Sequence, residues 1–262
     1  MVKTGRPRVE TPANRRAVIL AGGKGTRLAP YTTVLPKPLM PIGDRAILDV
    51  LVRQLVAQGF TDLVFAVGYL AHLIRAVFGD GSEHGATISY HEEPEPLGTA
   101  GALPLIESLC DTFLVLNGDV LTSLDYGRLF DEHAGSGNAL TIATHNRRVR
   151  SEYGVLHVEG DGTLQRVTDY EEKPEIPYTV SMGVYVLEAR ALDVIPRGER
   201  FDIPDLVLAL LRAGESVASY RFDGYWLDIG RHDDYEQALR DYEEILPRLM
   251  PGPGPAATPD ST

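Results

Sequence analysis

The chain has 262 residues, 44% of them hydrophobic and 24% charged, the balance of a soluble globular protein with apolar side chains enough for a substantial core. Its 25 Lys and Arg face 37 Asp and Glu, a net charge of −12, which speaks against a general binder of nucleic acid or anionic membrane because either surface would be repelled on average. One cysteine, Cys110, excludes an internal disulfide and any multi-cysteine metal site; no apolar stretch approaches the ~20 residues of a membrane span, and the basic N-terminus lacks the apolar core of a secretory signal. A cytoplasmic location is expected.

Residues 1–14, with Pro7 and Pro12, and residues 248–262, with the run from Pro251 to Pro255, are expected to be flexible tails around one domain over 15–247. Inside that domain short β-branched runs alternate with helical ones. Ala17 to Leu20 predicts a buried strand, and Ile47 to Gln58 a helix with Leu48, Leu51, Val52 and Leu55 on one face. Leu63–Val67, Thr87–Tyr90 and Thr112–Leu116 predict further strands; Leu70–Phe78, Thr99–Leu109 and Leu124–His133 predict helices between and after them. Such alternation implies a mostly parallel sheet covered by helices. Beyond it, Tyr153–Val158 and Leu164–Asp169 flank Glu159-Gly160-Asp161-Gly162 and predict a hairpin, Val184–Leu187 another strand, and His232–Leu246 a closing helix. The fold class is α/β with an antiparallel insertion.

The strongest chemical signal begins where the first strand ends: Leu20-Ala21-Gly22-Gly23-Lys24-Gly25-Thr26-Arg27-Leu28, then Pro30, then Pro36-Lys37-Pro38. Glycines after a strand let backbone approach a phosphate and aim N–H groups at its oxygens. A dinucleotide-binding G-x-G-x-x-G fails, because Leu28 stands at the third position after Gly23 and Gly25; a P-loop fails because Lys24 lies too near the first glycine. Between residues 15 and 45 the ionised groups are six cations (Arg15, Arg16, Lys24, Arg27, Lys37, Arg45) against Asp44, a local excess of +5. Only four lysines occur, Lys3, Lys24, Lys37 and Lys173, so those retained within glycines and prolines suggest a need for a compact point charge.

The assembled string resembles the signature of sugar-phosphate nucleotidylyltransferases, which make nucleoside-diphosphate sugars from a nucleoside triphosphate and a sugar 1-phosphate, and later motifs follow in the family's order from about Arg16 to Tyr235. The resemblance implies a single Rossmann-like (GT-A-like) domain, a mostly parallel mixed sheet with an antiparallel sugar-binding insertion. It implies that Leu20, Ala21, Gly22, Gly23, Gly25, Thr26 and Arg27 hold the nucleotide, that Arg27 and Lys37 serve the triphosphate and the transition state, and that Asp119 and Asp228 complete the catalytic set and bind Mg2+. Lys24 falls where the family varies and is given no role. Asp119, in Asn117-Gly118-Asp119, follows a strand, at the edge where ligands of open α/β sheets gather; Asp228 lies in Trp226-Leu227-Asp228-Ile229-Gly230. Two carboxylates suit a hard octahedral cation, and the seven histidines show no zinc-type spacing.

The segment His91 to Gly101 corresponds to the family's base loop, with Glu93, Gly98 and Thr99 at the base edge. An ionised carboxylate can only accept, which suits the adjacent N1–H and N2–H2 of guanine better than the acceptors flanking N3–H of thymine or uracil. GTP with mannose 1-phosphate or heptose 1-phosphate is therefore the expectation, with a dTTP- or UTP-dependent glucose-1-phosphate enzyme or a non-catalytic nucleotide-sugar binder as alternatives. On the sugar side the resemblance points to Gly154, Glu172, Lys173, Ser181 and Gly183, with serine at 181 where asparagine is frequent. A glycosyltransferase on a similar fold fits less well, since Asp119 is followed by Val120 and Leu121 rather than a second aspartate. The stretch after the closing helix is too short for the C-terminal β-helix of some members, so one activity is expected; whether the chain forms a homo-oligomer is left open.

Overall fold

The computed structural model describes residues 15–93, 95–107 and 109–250; the expected tail at 1–14, and residues 251–262 of the other, lie outside them. The first half runs through β1 (Arg16–Ala21), β2 (Pro41–Ile42), β3 (Arg45–Ala46), α1 (Ile47–Ala57), β4 (Asp62–Val67), α2 (Ala71–Phe78) and β5 (Thr87–Glu92). β6 (Thr112–Asn117), β7 (Val120–Thr122), α3 (Tyr126–Ala134), β8 (Leu140–Arg150), β9 (Val155–Glu159) and β10 (Arg166–Glu171) follow. β11 (Glu175–Glu188), α4 (Ile203–Arg212), β12 (Val217–Arg221), β13 (Trp226–Asp228) and α5 (His232–Leu249) complete the chain.

Seven strands form the central sheet in the order β12-β8-β11-β6-β1-β4-β5. β11 alone runs antiparallel to its neighbours; β1 pairs in parallel with β4 and β6, β4 with β5, and β8 with β12. Period-two alternation divides the sheet's side chains between two cores. Ile19, Phe65, Leu116 and Val186 face the side covered by α1, α2 and α3, while Val18, Val64, Val115 and Leu187 face α4 and the turn around Leu103. A third cluster joins α5, through Ala238, Tyr242, Ile245 and Leu249, to Leu28, Met40, Ile42 and Leu227. α5 thus holds the glycine-rich loop and the Trp226–Gly230 motif against one another. No helix among the described residues is long and apolar enough to cross a membrane.

Most of the strands and helices expected from periodicity form where expected, with ends shifted by a few residues. The expected helix over Thr99–Leu109 does not form: among its described residues only a short 3-10 turn at Leu103–Leu105 appears. Gly101 and Pro104 interrupt any helix there, and the amides of Ala100 and Gly101 both turn to the Phe201 carbonyl at 2.9 Å. β8, α4 and β12 were not expected, and β11 is far longer than Val184–Leu187. Its register breaks between Ser181 and Tyr185, where Gly183 adopts φ 73°, the kind of irregularity that re-aims side chains beside a site. The hairpin forms as β9 and β10, with Leu156, Val158, Val167 and Tyr170 exposed.

Candidate active site

β1 and β6 lie side by side in parallel, so the loops leaving their carboxyl ends meet. The Gly118 amide donates to the Leu20 carbonyl at 2.9 Å, and the Tyr69 amide donates to the Gly22 carbonyl at 3.2 Å. Gly25 needs its lack of a side chain: its φ is 60°, and a Cβ would stand 2.9 Å from the Thr32 methyl and 3.1 Å from Lys37 Cβ. Thr32 closes the loop by donating its hydroxyl to the Gly25 carbonyl at 2.8 Å. Ala21 is buried, whereas Gly23, Lys24, Thr26 and Arg27 face solvent. Pro36 and Pro38 set the 3-10 turn Lys37–Leu39, which aims Lys37 inward.

Lys37 Nζ pairs with Asp119 Oδ2, and the two side chains are 11% and 21% exposed. Asp119 Oδ1 is buried without a hydrogen-bond partner among the described residues. Two interactions set the second carboxylate beside the first: β13 pairs with β7 so that Asp228 stands opposite Val120, and the Ile229 amide donates to the Asp119 carbonyl at 3.1 Å. Asp228 remains open to solvent at its rim, yet its carboxyl pKa is pushed up from the ordinary value, first by desolvation and then by the negative charge of Asp119. Lys37 and Arg27 act in the opposite direction, and Asp234 adds to the upward push. Arg27 reaches the same place: a Cβ on Gly230 would be in ordinary contact with it, 3.6 Å from a guanidinium nitrogen, and with Asp234 Oδ2 at 3.7 Å. Arg27, Lys37, Asp119 and Asp228 therefore converge. Asp234, in the first turn of α5, joins them and was missed, because an acid in a helix's first turn is ordinary in sequence.

The remaining site residues divide. Glu93 Oε2 accepts the Leu97 amide at 2.9 Å, and its other oxygen faces Gly22, 3.7 Å from where a Cβ would stand, so this carboxylate lies between the glycine-rich loop and the base loop. Thr99 is committed to the fold: its amide donates to Asp202 Oδ1 at 2.9 Å, and its hydroxyl accepts the Ile203 amide at 2.8 Å. Gly98 packs against Phe201 and Asp202 with φ 81°. Gly183 leans on Asn117, whose amide nitrogen would be 2.5 Å from a Cβ. Ser181 donates to the Tyr185 hydroxyl at 2.9 Å; that phenol's pKa is raised, first by burial, and it feels the charge of Asp228. Ser181 and Gly183 thus adjoin the carboxylates. Gly154 and Glu172 do not: both contact Tyr170 at the base of the exposed hairpin, whose ring lies against Gly154. Lys173, at φ 47°, is exposed.

Residues 16–245 match the family model described as nucleotidyl transferase. The chain is 34% identical over 245 residues to the UTP–glucose-1-phosphate uridylyltransferase of Synechocystis, covering 86% of this chain and 62% of that protein. It is 32% identical over 243 residues to the mannose-1-phosphate guanylyltransferase of Mycobacterium tuberculosis, covering 90% and 66%. The chain thus spans about two thirds or less of the length of these relatives. Among solved structures, HddC of Yersinia pseudotuberculosis, also solved with GMP-PN, superposes with a TM-score of 0.66 at 27% identity over 87% of this chain and 99% of that one. A glucose-1-phosphate thymidylyltransferase from Bacillus anthracis, named as putative, shares the fold with a TM-score of 0.69 at 24% identity, covering 86% and 94%. With the model spanning both the glycine-rich loop and the second carboxylate, the chain belongs to the nucleotidyl transferase family.

Proposed function

We propose that this chain transfers a nucleotidyl group from a nucleoside triphosphate to a sugar 1-phosphate, releasing pyrophosphate. The convergence of Arg27 and Lys37 with Asp119 and Asp228 at the carboxyl ends of β1 and β6 carries this reading. A phosphate oxygen of the sugar attacks the α-phosphorus in line; the new P–O bond forms as the bond to the bridging β-phosphate oxygen breaks, and pyrophosphate leaves with that electron pair. The attacking oxygen is already ionised, so charge neutralisation outranks proton transfer. Two unit charges at 4 Å repel by about 1 kcal/mol in water and about 4 kcal/mol at an effective dielectric of 20. Positioning and electrostatics dominate such transfers. Arg27 can fork onto two phosphate oxygens and Lys37 supplies a point charge.

The residues fit a magnesium ion: Asp119 and Asp228 offer hard oxygen donors, and the buried Asp119 Oδ1 lacks any other partner among the described residues. When bound, Mg2+ draws charge from the phosphate oxygens. Asp119 would hold it while keeping Lys37 oriented, and Asp228 would close the other side.

GTP with mannose 1-phosphate or heptose 1-phosphate is the reading favoured for substrates. Glu93 supports it, since one carboxylate oxygen is fixed by Leu97 and the pair can only accept. The Mycobacterium tuberculosis relative points the same way, while the Synechocystis relative favours UTP with glucose 1-phosphate as a second reading. No nucleic acid or membrane partner is expected of so acidic a chain, and a cytoplasmic location, where nucleoside triphosphates are abundant, fits the proposed chemistry. Five nucleoside triphosphates tested against several sugar 1-phosphates, read by pyrophosphate release, decide the matter. Glu93→Gln keeps an acceptor for Leu97 but presents an N–H2, so it should lower the ratio of GTP to UTP or dTTP use; an unchanged ratio would remove the argument for guanine.

A further inference from the structure

Arg147 lies on β8, opposite Tyr178 of β11. Alternation along β8 sends Arg147 and His145 to one face and Arg148 to the other. On its face the guanidinium carbon sits 5.0 Å from the centre of the Trp226 ring, a cation–π contact that fixes a long side chain without engaging its N–H donors. The ring is itself anchored: Trp226 Nε1 donates to the Met182 carbonyl at 3.0 Å. The His145 ring lies 5.5 Å away, with its Nδ1 2.9 Å from the Phe222 carbonyl. Met182 belongs to the turn between Ser181 and Gly183, and Trp226 stands two residues before Asp228 on β13. The guanidinium is thereby held beside both the sugar-side turn and the carboxylate motif.

Its aromatic contact, together with its ionic surroundings, distinguishes it from nearby arginines. Arg148 pairs with Glu175 at 3.3 Å, Arg166 with Glu159 at 3.5 Å, and Arg221 with Asp223 at 3.1 Å. Arg147, like Arg150 at the end of the same strand, has no carboxylate partner among the described residues, although the chain carries 37 acids; of the two, Arg147 is the one held on a ring. An exposed arginine left unpaired in so acidic a protein, yet held in place by an aromatic ring, is available to an anion from outside.

We propose that Arg147 on Trp226 is an oxyanion subsite on the sugar side, and that the preferred acceptor is a sugar 1-phosphate bearing a second acidic group, a carboxylate or a further phosphate. This rests on the proposed nucleotidyl transfer and names its substrate class. The guanidinium forks onto the second anion, while the 1-phosphate is left to the catalytic cations.

The test compares glucose and mannose 1-phosphates with the corresponding 1,6-bisphosphates and uronic acid 1-phosphates, using the full chain and whichever nucleoside triphosphate supports turnover. In Arg147→Leu the ratio of kcat/KM for the acidic over the neutral acceptor should fall about ten- to hundredfold, mainly through KM, with neutral acceptors unaffected. Arg147→Lys should keep part of the preference. Whichever acidic arm loses most identifies carboxylate or phosphate. Trp226 is the only tryptophan in the chain, so its emission reports binding directly: the acidic acceptor should shift it in the wild type and not in Arg147→Leu. An equal ratio in wild type and variant overturns the subsite, as does an equal loss for neutral acceptors, which would assign Arg147 to the shared 1-phosphate or to stability. A wild-type chain inert toward every pair sinks the proposed reaction and the subsite together; turnover without the charge-dependent ratio sinks the subsite alone.

Discussion

Lys37 and Asp119 hold each other in a place that solvent reaches poorly, and a charge there depends on its partner: removing either leaves the other buried and uncompensated. Neither side chain belongs to the three apolar clusters, so the core survives their loss and the cost to folding is that of the stranded charge alone. Lys37→Ala and Asp119→Ala should each lower pyrophosphate release by roughly 10²–10³-fold or more, the scale of removing one preorganised electrostatic group, and each should also lower the melting temperature, because the partner's charge is stranded. Near-normal turnover in both would withdraw their roles. At this scale Arg27, Lys37 and Asp119 were legible because an unbroken string of residue types surrounds each. Asp234 was not, since an acid in a helix's first turn is ordinary by the dipole argument, and only the fold reveals that α5 aims it at Gly230.

Among the elements, α4 exposes what local pattern leaves out. Asp202 before Ile203-Pro204 carries a readable helix start, an N-cap acid followed by proline in the first turn. The partner of that start is Thr99, 103 residues earlier, whose amide donates to Asp202 Oδ1 and whose hydroxyl accepts the Ile203 amide. Periodicity alone assigns Thr99 to a helix; the long-range bonds instead hold the turn at residues 98–102 against the start of α4. The central strands were legible because β1, β4 and β6 are buried on both faces and read as apolar runs. β8 and the outer half of β11 were not, since His145 to Arg150 and Glu175 to Thr179 form a polar arm with little core to bury. Asp202→Ala should cost about 1–2 kcal/mol through the lost cap, lowering the melting temperature by a few degrees. It should also raise KM for the nucleoside triphosphate with little change in kcat, because the base loop loses its anchor. A melting shift with no change in KM would mean that α4 does not position that loop.

The whole molecule sets its site a problem of charge. Two cations, Arg27 and Lys37, meet three carboxylates, Asp119, Asp228 and Asp234, within a chain of net charge −12. The local excess of basic residues in 15–45 does not survive folding as a free positive patch: Arg15 and Arg16 pair with Asp131 and Asp62, and Arg45 with Asp49. A triphosphate entering the cluster therefore meets more negative than positive charge until a divalent cation joins the carboxylates. Nucleotide and metal should then bind as one event. In a chelator, triphosphate alone should barely raise the melting temperature, and Mg2+ alone should do little. Together, at about a hundred times the dissociation constant, they should stabilise by about 2.7 kcal/mol, or roughly 5–10 °C for a domain of this size. Chelation should reverse the shift and stop pyrophosphate release together. Equal stabilisation by triphosphate with and without the metal would show that Arg27 and Lys37 suffice, and Asp119 and Asp228 would need another role.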